Sequence, residues 1–126
     1  MDLKIFRCKK CGKVVAMLKG SACDTLCCDE AMSELVANTT EAAVEKHVPV
    51  AVKNGNLVEV TVGSVTHPME EKHFIEWIAI VSNDGYQLKT LAAGEEPKAS
   101  FALKDGDDLQ RTYAYCNLHG LWQAEL

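Results

Sequence analysis

Val58-Glu59-Val60-Thr61-Val62 alternates apolar and polar side chains one by one, the period of an extended chain whose successive side chains point to opposite faces. A helix would need its apolar residues three and four apart, so this stretch reads as a strand with one buried face. Just before it, Asn54-Gly55 supplies a residue that tolerates positive φ, the chemistry of a tight hairpin turn. Working outward, strands are expected near 48–53, 57–66, 74–82, 86–92, 99–104 and 109–116, with Asn83-Asp84-Gly85 and Asp105-Gly106-Asp107 as further turns. Phe74-Ile75-Glu76-Trp77-Ile78-Ala79-Ile80-Val81 is almost continuously apolar, as befits a central strand covered on both faces. Short, regular strands joined by tight turns predict a mainly β, antiparallel sandwich.

Upstream of these strands the chemistry changes. Five of the six cysteines fall between Cys8 and Cys28, and the sixth is Cys116. All four histidines, His47, His67, His73 and His119, come after the cysteine-rich start. A boundary is therefore expected around residues 35–41, with a module over 1–36, a linker over 37–41 and the strand-rich domain over 42–126. About 36 residues bury too little apolar surface to be stable unaided, so the first module needs its cysteines. Thr39-Thr40-Glu41-Ala42-Ala43-Val44 offers a capping threonine before helix formers and predicts a short helical turn in the connection.

The 126 residues, 48% hydrophobic and 25% charged, have the composition of a packed globular protein rather than a disordered chain. The formal charge of −5 gives no basic footprint, which disfavours a nucleic-acid or anionic-membrane partner. No apolar run approaches the ~20 residues of a membrane helix, and Met1-Asp2-Leu3-Lys4-Ile5-Phe6-Arg7-Cys8 lacks the pattern of a secretory signal. The expectation is a soluble, cytoplasmic protein whose thiols stay reduced and hold metal rather than forming a disulfide framework.

Cys8-Lys9-Lys10-Cys11-Gly12 places two thiolates on a knuckle, with Gly12 allowing the tight turn that lets backbone amides face the sulfurs. Cys27-Cys28 is a rarer pair, because adjacent side chains point apart and chelation by both strains the backbone. Four thiolates, Cys8, Cys11, Cys27 and Cys28, suit a distorted tetrahedron around zinc or a single iron, and ligand softness does not decide between the two. Cys23 is left over and reads as a small loop residue.

The histidines sit in compact motifs: Glu45-Lys46-His47-Val48-Pro49, His67-Pro68-Met69-Glu70-Glu71-Lys72-His73 and Cys116-Asn117-Leu118-His119-Gly120-Leu121-Trp122. A lone histidine is usually structural; four near strand ends, with one isolated cysteine, point to a metal. Imidazoles suit iron, copper or zinc, and a thiolate donates electron density to the position opposite it. Five protein ligands on an octahedral ion leave one place free, which on a redox metal is a reaction site.

The stretch Cys8-Lys9-Lys10-Cys11-Gly12 to Cys27-Cys28, followed by Ala31-Met32, resembles desulforedoxin, a small rubredoxin-like iron protein. The three histidine motifs, in this order, resemble the catalytic centre of desulfoferrodoxin, and together the similarities cover essentially the whole chain. This resemblance implies a desulforedoxin-like module followed by an immunoglobulin-like antiparallel β-sandwich, with two non-haem irons per chain. It implies His47, His67, His73 and His119 around one iron with Cys116 axial, Glu45 closing the sixth position at rest, and Lys46 supplying positive charge beside it, with Lys72 assisting. The implied activity is superoxide reduction to hydrogen peroxide, with electrons from a rubredoxin-like donor and amides at Leu118 and His119 tuning the Cys116 sulfur. A homodimer is expected. The rivals are an electron carrier that binds no substrate, a zinc-loaded interaction domain and a dismutase.

Overall fold

A computed structural model describes residues 2–125, and they divide into two compact units, Asp2–Val36 and a second that begins at Ala37. The first unit is built on a three-stranded antiparallel sheet, with β1 (Lys4–Arg7) between β2 (Val14–Met17) and β5 (Ser33–Glu34). A two-stranded hairpin, β3 (Leu26–Cys27) and β4 (Glu30–Ala31), completes it. Its buried apolar residues are Leu3, Ile5, Cys8 and Met32. That is little core for a folded unit.

The second unit is a sandwich. One sheet has the order β10-β7-β6, from β6 (Pro49–Asn54), β7 (Leu57–Val62) and β10 (Lys98–Ala102). The other has the order β12-β11-β8-β9, from β8 (Ile75–Ser82), β9 (Gly85–Thr90), β11 (Leu109–Cys116) and β12 (Gly120–Glu125). All pairings are antiparallel. Between the sheets Val58, Val60, Val62 and Phe101 meet Ile75, Ile78, Ile80, Ala114 and Cys116 in one core. The alternation in β7 thus does what its period predicts: its valines are fully buried and Glu59 and Thr61 are exposed. Ile78, Ala79, Ile80 and Val81 are all fully buried, in keeping with the interior position of β8.

Three local expectations need correction. The run expected to extend to residue 66 stops at Val62, because Gly63 turns out of the strand at φ 89. The helical turn lies later than the Thr39–Val44 segment: α1 spans Val44–His47, starts from Ala43 and has no side-chain cap. β12 was not foreseen. Its Leu121 and Trp122 are consecutive buried residues, so it shows no alternation from which a strand could be read. Among the described residues no helix is long and apolar enough to cross a membrane.

Candidate metal centres

In the first unit the sulfurs of Cys8, Cys11, Cys27 and Cys28 all lie within 4.8 Å of one another. Cys11 and Cys27 are separated by 3.7 Å and Cys27 and Cys28 by 3.9 Å. A tetrahedral metal with bonds of about 2.3 Å places its sulfurs about 3.8 Å apart, so these spacings fit a four-thiolate ion. The adjacent pair is accommodated by the β3–β4 turn. Cys27 pairs with Glu30, and the two loop residues Cys28 and Asp29 take φ 51 and 62, the backbone of a type I′ hairpin turn. For a cysteine that conformation is strained by about 1–3 kcal/mol, a cost a bound ion can offset.

The charge balance of the cluster also asks for a cation. Amides of Cys11 and Lys10 point at the Cys8 sulfur and pull its pKa down to about 6, the Cys11 amide most strongly. Cys27, hydrogen-bonded to the sulfurs of Cys8 and Cys11, is pushed up to about 12. Without a cation the four sulfurs must share protons; a metal ion takes their place. Cys23 is exposed and stands outside this group, its amide bonded to the Ser21 hydroxyl at 3.2 Å.

The second centre draws on four segments. His47 ends α1, His67 follows the turn after β7, His73 precedes β8, and Cys116 and His119 flank the turn from β11 to β12. The imidazoles form a closed ring in the order His47, His67, His73, His119. Neighbouring centroids are 4.6, 4.8, 5.0 and 4.9 Å apart, with planes crossing at 78 to 86°. Across the ring, His47 and His73 are 6.3 Å apart. Cys116 Sγ lies within 4.8 Å of the ligand nitrogens of His47, His67 and His73 and 3.8 Å from His119 Nδ1. An atom near all four nitrogens sits close to the axis of the ring, and since Cys116 is fully buried it does so from the core side.

Hydrogen bonds decide which nitrogen His47 and His67 present. His47 Nδ1 donates to the Ala43 carbonyl at 2.7 Å and His67 Nδ1 to the Pro68 carbonyl at 2.6 Å, leaving both Nε2 atoms as lone-pair donors. Those two atoms are 3.1 Å apart, and His47 Nε2 is 3.1 Å from His119 Nδ1. His73 Nε2 is buried with no partner. Lone pairs facing one another in a buried space repel unless a cation lies between them, so the donor set fits a metal ion. Burial pushes the pKa of His47, His67 and His73 below the ordinary value, that of His67 to about 4. These three rings are therefore neutral and ready to ligate at neutral pH. The Cys116 thiol is pushed up by burial, while amides of His119 and Leu118 directed at its sulfur pull the other way.

Glu45 and Lys46, on α1 just before His47, are both exposed, and the Lys46 charge reaches His47 and His73. Lys72 is exposed on the segment before His73. Gly63, which the strand pattern alone does not mark out, seats this part of the site. A Cβ there would overlap the Glu45 carbonyl oxygen and come within 2.7 Å of the Lys46 carbonyl carbon. The next two residues hold the same carbonyl, through the Ser64 hydroxyl at 3.3 Å and the Val65 amide at 2.9 Å. Trp122 is another such residue: its indole stacks on His47 at 4.9 Å and donates to the His119 carbonyl at 3.1 Å. A glycine closing an alternating run, and a tryptophan three residues beyond a ligand, were the available signals.

A bulge assists on the opposite strand. Tyr115 pairs with Trp77 but Cys116 pairs with Ile75, so Glu76 is the extra residue. Such a step reverses the side-chain parity of β8 and turns Ile75 into the core beside Cys116.

Comparison with known proteins places this architecture. A family model described as Desulfoferrodoxin matches residues 39–125. A desulfoferrodoxin from Clostridium acetobutylicum is 47% identical over 125 residues, covering 99% of this chain and 98% of that protein. One from Nitratidesulfovibrio vulgaris is 46% identical over 122 residues, covering 97% and 95%. The solved superoxide reductase from Treponema pallidum superposes with a TM-score of 0.84 at 34% identity, covering 99% of this chain and 100% of the other.

Proposed function

The chain belongs to the desulfoferrodoxin family, and from that premise we propose that it is a superoxide reductase, converting superoxide, one electron and two protons into hydrogen peroxide. The observation that carries the reading is the ring of four imidazoles with one buried cysteine sulfur behind it, in a fold shared with a solved superoxide reductase. His47, His67, His73, His119 and Cys116 hold one iron, and Cys8, Cys11, Cys27 and Cys28 hold a second. When bound, an iron at the histidine centre would supply the electron.

The chain's own residues do the rest. The protein carries a formal charge of −5 and would repel a small anion; Lys46 offsets this locally, since its charge reaches two of the four imidazoles. Lys46, or a water it orders, would also deliver protons to the outgoing product, and Glu45 would cover the site at rest. The His119 and Leu118 amides directed at the Cys116 sulfur favour its thiolate form and oppose the larger effect of burial. Electrons come from a rubredoxin-like donor in the cytoplasm, and the working form is a homodimer.

The test is the yield of hydrogen peroxide per superoxide consumed by anaerobically reduced protein, with dioxygen followed in the same mixture. One peroxide per superoxide without dioxygen is the expected result. One per two with dioxygen would mean dismutation, and no protein-dependent consumption would leave an electron carrier.

A further inference from the structure

His47 and His67 are each oriented by a ring hydrogen bond to a nearby carbonyl. The ring of His73 has no such bond among the described residues, and its ligand nitrogen is unpartnered. What holds it is the peptide on either side. The Asn117 side chain donates from Nδ2 to the Lys72 carbonyl at 3.0 Å and accepts at Oδ1 from the Phe74 amide at 3.0 Å. The Asn117 amide in turn donates to the Phe74 carbonyl at 3.2 Å. One residue, directly after Cys116, thus grips both neighbours of His73.

The grip has only one sense. A carbonyl at residue 72 and an N–H at residue 74 require the amide nitrogen and oxygen of Asn117 in this orientation, because the flipped amide would set oxygen against oxygen and N–H against N–H. The segment is itself a closed turn, with reciprocal backbone bonds between Glu70 and His73 of 2.9 and 3.0 Å. Moving Asn117 therefore moves the turn as a body. From this we propose that Asn117 is a positioning residue that sets the placement of His73 relative to Cys116 and substitutes for the ring hydrogen bond that His47 and His67 possess.

The inference rests on reading the cluster as a metal centre, and the test separates the two. Metal-free full-length protein is titrated with cobalt(II) against a competing chelator, and the bands of both centres are followed in the visible and near ultraviolet. The four-cysteine centre, far from Asn117 in sequence, serves as the internal control. Asn117→Ala removes both side-chain bonds; Asn117→Asp keeps the acceptor for Phe74 but sets an oxygen against the Lys72 carbonyl. Both variants are expected to bind cobalt at the histidine centre about 10–100-fold more weakly, the usual consequence of losing a group that orients a ligand, with shifted bands there and unchanged bands at the cysteines. Unchanged affinity and bands at the histidine centre would overturn the inference. Failure of both variants to fold would overturn it in favour of a purely structural role. If the unmutated protein took up no cobalt at the histidines, the metal-centre reading itself would fall, and this inference with it.

Discussion

The two ligand clusters solve opposite problems. In the first unit the core besides Cys8 is three buried apolar residues, Leu3, Ile5 and Met32, Cys11 and Cys28 are exposed, and the Cys28 backbone is held at positive φ. In the second, His47, His67 and Cys116 are buried at the ends of elements already packed into a sandwich. The difference teaches that in the cysteine unit the metal holds the fold, whereas in the histidine centre the fold holds the metal. Closed four-thiolate sites contribute folding energy outright, while a reaction site needs a scaffold that keeps its shape when one coordination place is open.

Stripping the metal should break the symmetry between the units most visibly. Chelation is expected to abolish amide-exchange protection over residues 2–36 while β7, β8 and β11 stay protected; equal loss in both units would refute the comparison. Next in size is Gly63→Ala, which forces a side chain against the Glu45 carbonyl at a positive φ. It should cost about 1–3 kcal/mol, read as a fall of several degrees in the thermal midpoint of the second unit, with the cysteine chromophore unchanged.

Lys46→Ala should spare both folds and both metals yet slow superoxide consumption about tenfold, and should flatten its dependence on ionic strength. Stopped-flow mixing at two salt concentrations reads this directly; an unaltered salt dependence would remove Lys46 from substrate attraction. The smallest effect is expected from Trp122→Phe, which keeps an aromatic face for His47 and loses the bond to the His119 carbonyl. A loss of about 0.5–1.5 kcal/mol in chemical denaturation would sharpen the view that the histidine centre is held by many modest contacts rather than by one.

Much of this architecture is legible in the pattern of the chain. The period of Val58, Val60 and Val62 implied one buried face, and those valines line the sandwich core. The spacing of Cys8, Cys11, Cys27 and Cys28 implied a shared ion, and their sulfurs converge. Less was readable where the signal was not periodic. β12 has two successive buried residues, Leu121 and Trp122, and α1 begins at Val44 after Ala43 with no side-chain cap to mark its start. The bend at Gly63 looked like a continuation of a strand, since a glycine's need for positive φ shows only when another segment crosses it.

Side-chain type and local spacing are properties of the chain alone, so the sequence determined the donor inventory, the strand period and the separation of thiolate from imidazole chemistry. The cyclic order of the rings, the nitrogen each one presents and the buried side from which Cys116 approaches were decided only by the tertiary structure. So were the roles of Gly63, Trp122 and Asn117. Each depends on hydrogen bonds or close approaches between segments far apart in the chain, such as Asn117 with Lys72 or Gly63 with Glu45, and no local pattern encodes a partner that only packing brings near.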